Sequence, residues 1–290
     1  MPNQAKKPEP PVVLAELPPF PAVVVKALQY ASDSEMRLRE LHDVVCVDPV
    51  FAHELLRAAN APIYGTSKTF KSTLQAAIFL GFNRLKGLVL TIGTKAYLGG
   101  VLEIPALRAC WHHSLACAIV AEELVEACRL AKSDRYRDVD KDVAYTAGII
   151  HDVGRLALAV LRPTQYANFL QRMEKEPCDI QEQERAQFGF DHCQAGRSLV
   201  AGWELPTEFL DIVSHHHDAE PPKPSDALRV IHFSCMMASA LGFEAVHGND
   251  FRTYEELVME LSRAERLRFG EKQDECVMRI ADRIYGIETA

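Results

Sequence analysis

The chain has 290 residues, 48% of them hydrophobic, enough to fill the core of one large domain or two modest ones. Its formal net charge of −8, with 32 Lys and Arg against 40 Asp and Glu, argues against the broad basic footprint that nucleic acid or an anionic membrane surface requires. Eight cysteines without a CxxC pair read as reduced core thiols, not a disulfide framework, and point to a cytoplasmic protein.

The first sixteen residues, "MPNQAKKPEPPVVLAE", are rich in proline and carry no apolar run of spanning length, so 1–16 is expected to be a disordered lead. Beyond it, Gly and Pro are sparse and fall between apolar segments of period three to four, while alternating β-branched runs are almost missing. The fold class expected is therefore all-α. Between Leu17 and Gly100 the spacing predicts five helices: Pro21 to Ser32, Glu35 to Cys46, Pro49 to Asn60, Thr73 to Gly81 and Phe82 to Leu98. Asp48 before Pro49 is a cap with proline in the first turn, and Ser72 with Gln75 is a capping box. Asn60, after the stripe of Leu55, Leu56 and Ala59, is expected to cap a helix C-terminus.

After "LGGVLEIP" the character changes. Longer helices are expected from Leu107 to about Val246, and this stretch holds every histidine except His42, His53 and His247. Within it, "CRLAKSDRYRDVDK" interleaves five basic residues with Asp134, Asp138 and Asp140, the pattern of a solvated connection. The last segment, Thr253 to Gly286, opens on a Thr253–Glu256 capping box and is predicted to form two amphipathic helices packing back on the body.

The histidines fall on inward helical faces. His113 begins a stripe with Ala116, Cys117, Val120, Ala121 and Leu124. His151 continues that of Ala144, Ala147 and Ile150, and Asp152 follows about 100° further round. This pair can reach one point only from a helix end facing a cavity, with Gly148 and Gly154 allowing neighbouring helices to come close. His192 heads Ala195, Gly196, Leu199, Val200 and Trp203, and His216 closes Phe209, Ile212 and Val213, with His215, His217 and Asp218 beside it. Any one alone reads as a hydrogen-bonded core histidine. Together, imidazoles from four helices and a carboxylate would strand polar groups in an apolar interior unless something bound them. The economical occupant is one divalent transition metal, Fe, Mn, Zn, Ni or Co, with no organic cofactor.

Seven blocks, "LPPFPAVVVKAL", "DPVFAHELLRAAN", "AAIFLGFNRLKGLVL", "CWHHSLACA", "AGIIHDVGRLAL", "FGFDHCQAGRSLVAGWELP" and "IVSHHHD", resemble in this order the HDOD family, the HD-related output domains of bacterial signalling proteins. The resemblance runs from about Leu17 to Gly248. It implies an N-terminal helical subdomain over 17–100 packed on an HD-like helical core over 101–248, leaving 249–290 as a helical extension.

It also implies metal ligands at His113, His151 and Asp152, with further histidines at His192, His216 and His217. At the position of the last HD-type aspartate this chain has Cys235, either a substitute thiolate or a core thiol. "HHHDAEPP" lacks the acidic, glycine-rich continuation of relatives that hydrolyse cyclic dinucleotides, and Arg155 stands where those carry lysine. Asp152 could bridge two ions, but His113 and His151 would lack their partner aspartate, so at most one well-held ion is expected. The function implied is a non-catalytic regulatory module acting through protein partners in a signalling pathway, without membrane or nucleic acid. The alternative is a metal-dependent phosphohydrolase or phosphodiesterase in which Arg155 steadies a phosphate oxygen.

Overall fold

The expectation of helices throughout is met. A computed structural model describes residues 13–29, 35–60, 69–175, 179–203, 205–218, 225–244, 246, 252–270 and 272–289, and among them there is no strand. Of the expected lead, residues 1–12 lie outside the described residues, and Leu14–Glu16 form one 3-10 turn.

The first five helices are α1 (Ala22–Gln29), α2 (Glu35–Val45), α3 (Pro49–Ala59), α4 (Thr73–Leu80) and α5 (Phe82–Leu98). They begin and end within a residue or so of the expected positions, except that the predicted end at Ser32 lies outside the described residues. Ser72 Oγ accepts from the Gln75 amide as predicted. Asn60 does more than cap: its amide donates to the Leu56 and Phe70 carbonyls at 2.8 and 3.0 Å, and its Oδ1 accepts from the Phe70 amide at 2.7 Å. It thereby staples the end of α3 to the segment entering α4. Leu41, Leu55, Ala76, Leu85 and Val89 form the apolar cluster among these helices.

The second cluster is organised on α6 (Pro105–Leu130), which starts on proline at its first position, where no amide donor is needed. Trp111, Leu115, Ile119 and Leu124 along it are wholly buried. Around it lie α7 (Lys141–Ile150), α8 (Val153–Leu161), α9 (Pro163–Met173), α10 (Ile180–Phe188), α11 (His192–Ala201), α12 (Thr207–His215) and α13 (Asp226–Ala240). The charged stretch between α6 and α7 is a connection, as its composition predicts, and Asp140 ends it by capping the Asp142 and Val143 amides.

The C-terminal segment departs from expectation: three helices follow, α14 (Tyr254–Met259), α15 (Arg263–Phe269) and α16 (Gln273–Thr289), where two were predicted. The extra start is a Ser262–Glu265 capping box, and Gly270 at φ +146° ends the short helix. Arg279 and Arg283 of α16 clasp Glu123 and Glu122 of α6. Two helical stretches, Arg84–Glu103 and Lys141–Leu161, are long and apolar enough to cross a membrane by length and composition, and 44% and 83% of their apolar windows are buried inside the protein.

Close approach at two glycines positions the His151–Asp152 break. A Cβ on Gly148 would lie 2.3 Å from Ala118 Cα of α6, and one on Gly154 would lie 1.9 Å from the His192 carbonyl and 2.5 Å from the Gly196 amide of α11. Backbone cannot yield as a flexible side chain can, so Gly154→Ala should lose about 3 kcal/mol of stability. Gly286→Ala, on α16 with open space around it, should instead change stability by no more than about 1 kcal/mol, in the stabilising direction. Urea unfolding of the two variants beside the parent measures both.

Candidate metal centre

His151 and Asp152 occupy the break between α7 and α8, which is how adjacent residues on a helix come to face one interior point. His113 comes from the middle of α6. His192 is the first residue of α11, fixed there by the reciprocal Asp191–Gln194 capping box. His216 closes α12, and His217 follows it. His113 is 5% exposed, and His151, Asp152, His192 and His216 are 1% exposed each, so these side chains are sealed from solvent.

All six residues singled out in the sequence converge, but in two groups. Donor atoms of Asp152, His192, His216 and His217 lie within 4.8 Å of one another, and those of His113, His151 and Cys235 form a second such group. The His151 and His216 rings, 4.9 Å apart, join them. His215 and Asp218 pair with each other at 2.7 Å on the rim and take no part.

Hydrogen bonds to carbonyls fix the tautomers, because a carbonyl can only accept. His113 Nδ1–H donates to the Phe243 carbonyl at 2.9 Å, and His151 Nδ1–H donates to the Gly148 carbonyl at 2.7 Å. Burial keeps both imidazoles below the ordinary histidine range, hence neutral, with the lone pair on Nε2. His216 Nδ1–H faces the Ile212 carbonyl at 3.3 Å, and its own carbonyl receives His232 Nδ1–H at 2.9 Å.

Asp152 divides its oxygens. Oδ2 accepts from Arg155 Nε at 2.9 Å, while Oδ1 has no hydrogen-bond donor and stands 3.5 Å from His192 Nε2 and 3.6 Å from His216 Nε2. Burial would raise this carboxyl, but the Arg155 and His192 charges outweigh it and hold the group well below the usual carboxylate range.

Glu184, on α10, is the residue that sequence reading missed. It is fully buried, and it accepts from the His192 amide at 2.8 Å, His192 Nδ1–H at 2.5 Å and the Tyr166 hydroxyl at 2.7 Å. Arg155 Nη1 lies 3.9 Å away. Burial opposes its charge, but His192 beside it prevails and lowers the carboxyl. Its one sequence signal is position: Glu184 falls four residues from both Ile180 and Phe188, on the inward stripe of an otherwise polar helix. Cys193 was missed as well. Burial would push its thiol up, but His192 and His216 bring it down to about 6.

A cation fits the first group. Nε2 of His216, Nε2 of His217 and Oδ1 of Asp152 are buried without a hydrogen-bond partner and face one another beside His192 Nε2. A buried polar atom left without a partner costs about 1–3 kcal/mol. The pocket also favours positive charge: burial opposes a charge on His192 and on His216, yet Glu184 raises the first well above its usual range, and Cys193 and Asp152 raise the second to about 9. Asp152, His192, His216 and His217 would hold the ion, which would supply Lewis acidity. Glu184 would orient His192 from behind, as carboxylates do for metal-binding imidazoles.

Fold and site together define an all-helical domain with a histidine–aspartate cluster where the helices meet. The chain belongs to the HDOD domain family, whose model matches residues 17–219. Solved structures share the architecture. An HDOD domain protein from Geobacter sulfurreducens is 22% identical, with TM-score 0.69 over 94% of this chain and 92% of its own. A candidate signal transduction protein from Marinobacter aquaeolei VT8 is 21% identical, with TM-score 0.70 over 95% of this chain and 60% of its own. A candidate phosphohydrolase from Shewanella amazonensis SB2B is 19% identical, with TM-score 0.62 over 93% of this chain and 91% of its own. At these identities the likeness is one of fold. A comparison with curated proteins finds no match.

Removing Glu184 tests the network behind the site. Glu184→Ala strands the His192 amide and imidazole, the Tyr166 hydroxyl and part of Arg155, and should cost about 3–5 kcal/mol. Tyr166→Phe removes a single neutral donor from Glu184 and should cost about 1 kcal/mol. Chemical denaturation at neutral pH ranks the two.

Proposed function

We propose that this chain is a non-catalytic regulatory module of a signalling pathway. It works through protein partners in the cytoplasm and keeps one divalent transition metal, held by Asp152, His192, His216 and His217, as a structural element. In this reading residues 17–100, which carry no candidate site, and the HD-like core over 101–248 are subdomains of one interaction body, extended by 249–290.

The observation that carries the reading is the bond from Arg155 Nε to Asp152 Oδ2. Two-metal hydrolysis clamps attacking and leaving oxygens between ions about 3.5–4 Å apart, and a carboxylate that bridges them through both oxygens gives one to each. Here one of those oxygens belongs to an arginine. That arginine is 4% exposed and turned toward Asp152 and Glu184, so it does not offer itself to a phosphate arriving from solvent. Burial argues the same way: Asp152, His192 and His216 are 1% exposed each, and His217 alone of the four is half-buried, which leaves little room for a phosphodiester to reach the donors. The name of the Marinobacter relative agrees with a signalling role. The name of the Shewanella relative supports the competing phosphohydrolase reading.

The test joins elemental analysis to turnover. Purified protein should carry close to one equivalent of Fe, Mn, Zn, Ni or Co at this group, lost in His216→Ala and His217→Ala. Metal-supplemented protein should hydrolyse neither bis(p-nitrophenyl) phosphate nor cyclic dinucleotides above background. Metal-dependent turnover that disappears in Asp152→Ala would overturn the non-catalytic reading.

A further inference from the structure

The last three helices lie beyond residues 17–219, which the family model matches, and α14, α15 and the start of α16 enclose a groove of about 420 Å3. We propose that this groove, with the outer face of α15, docks an acidic segment of a partner protein that carries an apolar side chain. The inference rests on the reading of the chain as a module that works through protein partners, and it names the chemistry of one of them.

The floor of the groove is fixed before anything binds. Tyr254 and Val258 are buried there. The Tyr254 hydroxyl donates to the Gly270 carbonyl at 3.3 Å, and the Gln273 amide group donates to the Ala240 carbonyl at 3.0 Å. Both α14 and α15 start on reciprocal capping boxes. A groove already held in shape spares a partner the cost of ordering it.

The rim is apolar. Met259 at its edge is 71% exposed, and Leu267 on α15 is 62% exposed. Exposed apolar side chains framed by charge mark surfaces that partners cover, and methionine is enriched there.

Charge chooses the partner. Arg266 lines the groove and donates from Nη1 to Met259 Sδ at 2.9 Å, although a thioether is a weak acceptor. A carboxylate would serve that guanidinium better, through paired charge-assisted bonds. Arg263 and Arg268 stand on either side of Leu267 on the same helix. Among the described residues no carboxylate pairs with these three arginines, because the neighbouring acids are engaged elsewhere. Glu265 is turned inward beside Arg135, Glu260 pairs with Arg252, and Glu275 pairs with Lys272. The chain as a whole, at −8, repels an acidic segment, so the three arginines also direct it to this end. Glu255 on the groove and the exposed Glu256 beside it interrupt the positive field. A nucleic-acid backbone or an anionic bilayer, which rewards an unbroken row of cations, is therefore the poorer occupant.

The probes are three fluorescent peptides of one helical pattern, built from Glu and Leu, from Lys and Leu, and from Glu and Ser. Anisotropy with the whole protein should show the Glu/Leu peptide bound at least about 10-fold more tightly than either of the others, and more weakly as salt rises. Arg266→Glu and Leu267→Ser should each weaken that binding by about 10-fold or more, while Arg229→Glu, an exposed position on α13, leaves it unchanged. In carbon-13 methyl spectra of the parent protein the peptide should shift Met259 but not Met278, which is exposed on α16; this signal decides if a variant does not fold. Equal binding of the Lys/Leu peptide, unchanged binding in Arg266→Glu, no binding at all, or tighter binding to anionic phospholipid vesicles or duplex DNA would overturn the proposal. The His216→Ala protein should bind the Glu/Leu peptide as the parent does. Phosphodiester turnover by a protein that binds the peptide would remove the non-catalytic reading and leave this groove standing, whereas no turnover and no peptide binding would remove the groove alone.

Discussion

A carboxylate buried inside an apolar helical body is the constraint around which this molecule is arranged. Asp152 must remain charged where burial penalises charge, and it does so because Arg155, three residues along, sits in the first turn of the next helix. Arg155 is itself a buried charge and requires more than one partner. Glu184 supplies the second, and Glu184 in turn is satisfied by Tyr166 and His192. Each member is tolerable only because the next is present, so the network stands or falls as a unit. Asp152 is also the last residue of the joint between α7 and α8, and this electrostatic demand therefore fixes where the helix breaks.

Packing follows from the same centre. Arg155 reaches Glu184 and the His192 ring only if α8 lies almost in contact with the start of α11, and Gly154 allows that by bringing backbone against the His192 carbonyl. Gly148 performs the same service between α7 and α6, setting His151 opposite His113 with ring centroids 5.4 Å apart. The long α6 then carries the arrangement outward, through the Glu122 and Glu123 ion pairs, to the last helix of the chain.

Much of this was legible in the sequence, for physical reasons. Helical period and capping chemistry are local, so the helices around Pro49, Ser72 and Thr253 could be placed closely. Inward faces follow from the same period, which is why His113, His151, His192 and His216 could be predicted to converge. The Ser262 start is equally local, but the seven residues of α15 span less than two turns and carry little periodic signal. What could not be read was pairing across the fold. Nothing near His113 announces that its Nδ1 meets the carbonyl of Phe243, and nothing near Glu184 announces His192. The division of one expected cluster into two donor groups depends on those distant partners. The same holds for Asn60, whose partner Phe70 lies ten residues further along the chain.

The sealing of the centre also has a bearing on time. Asp152, His192 and His216 are almost wholly screened from water and His217 is half-buried, so an ion held among them would exchange about as slowly as the local opening of the helices around it. Which ion is found inside would be decided less by the medium around the mature protein than by whatever was abundant when the helices closed. Occupancy would then become a memory of conditions at folding, a property quite different from the reversible sensing that an open site would provide.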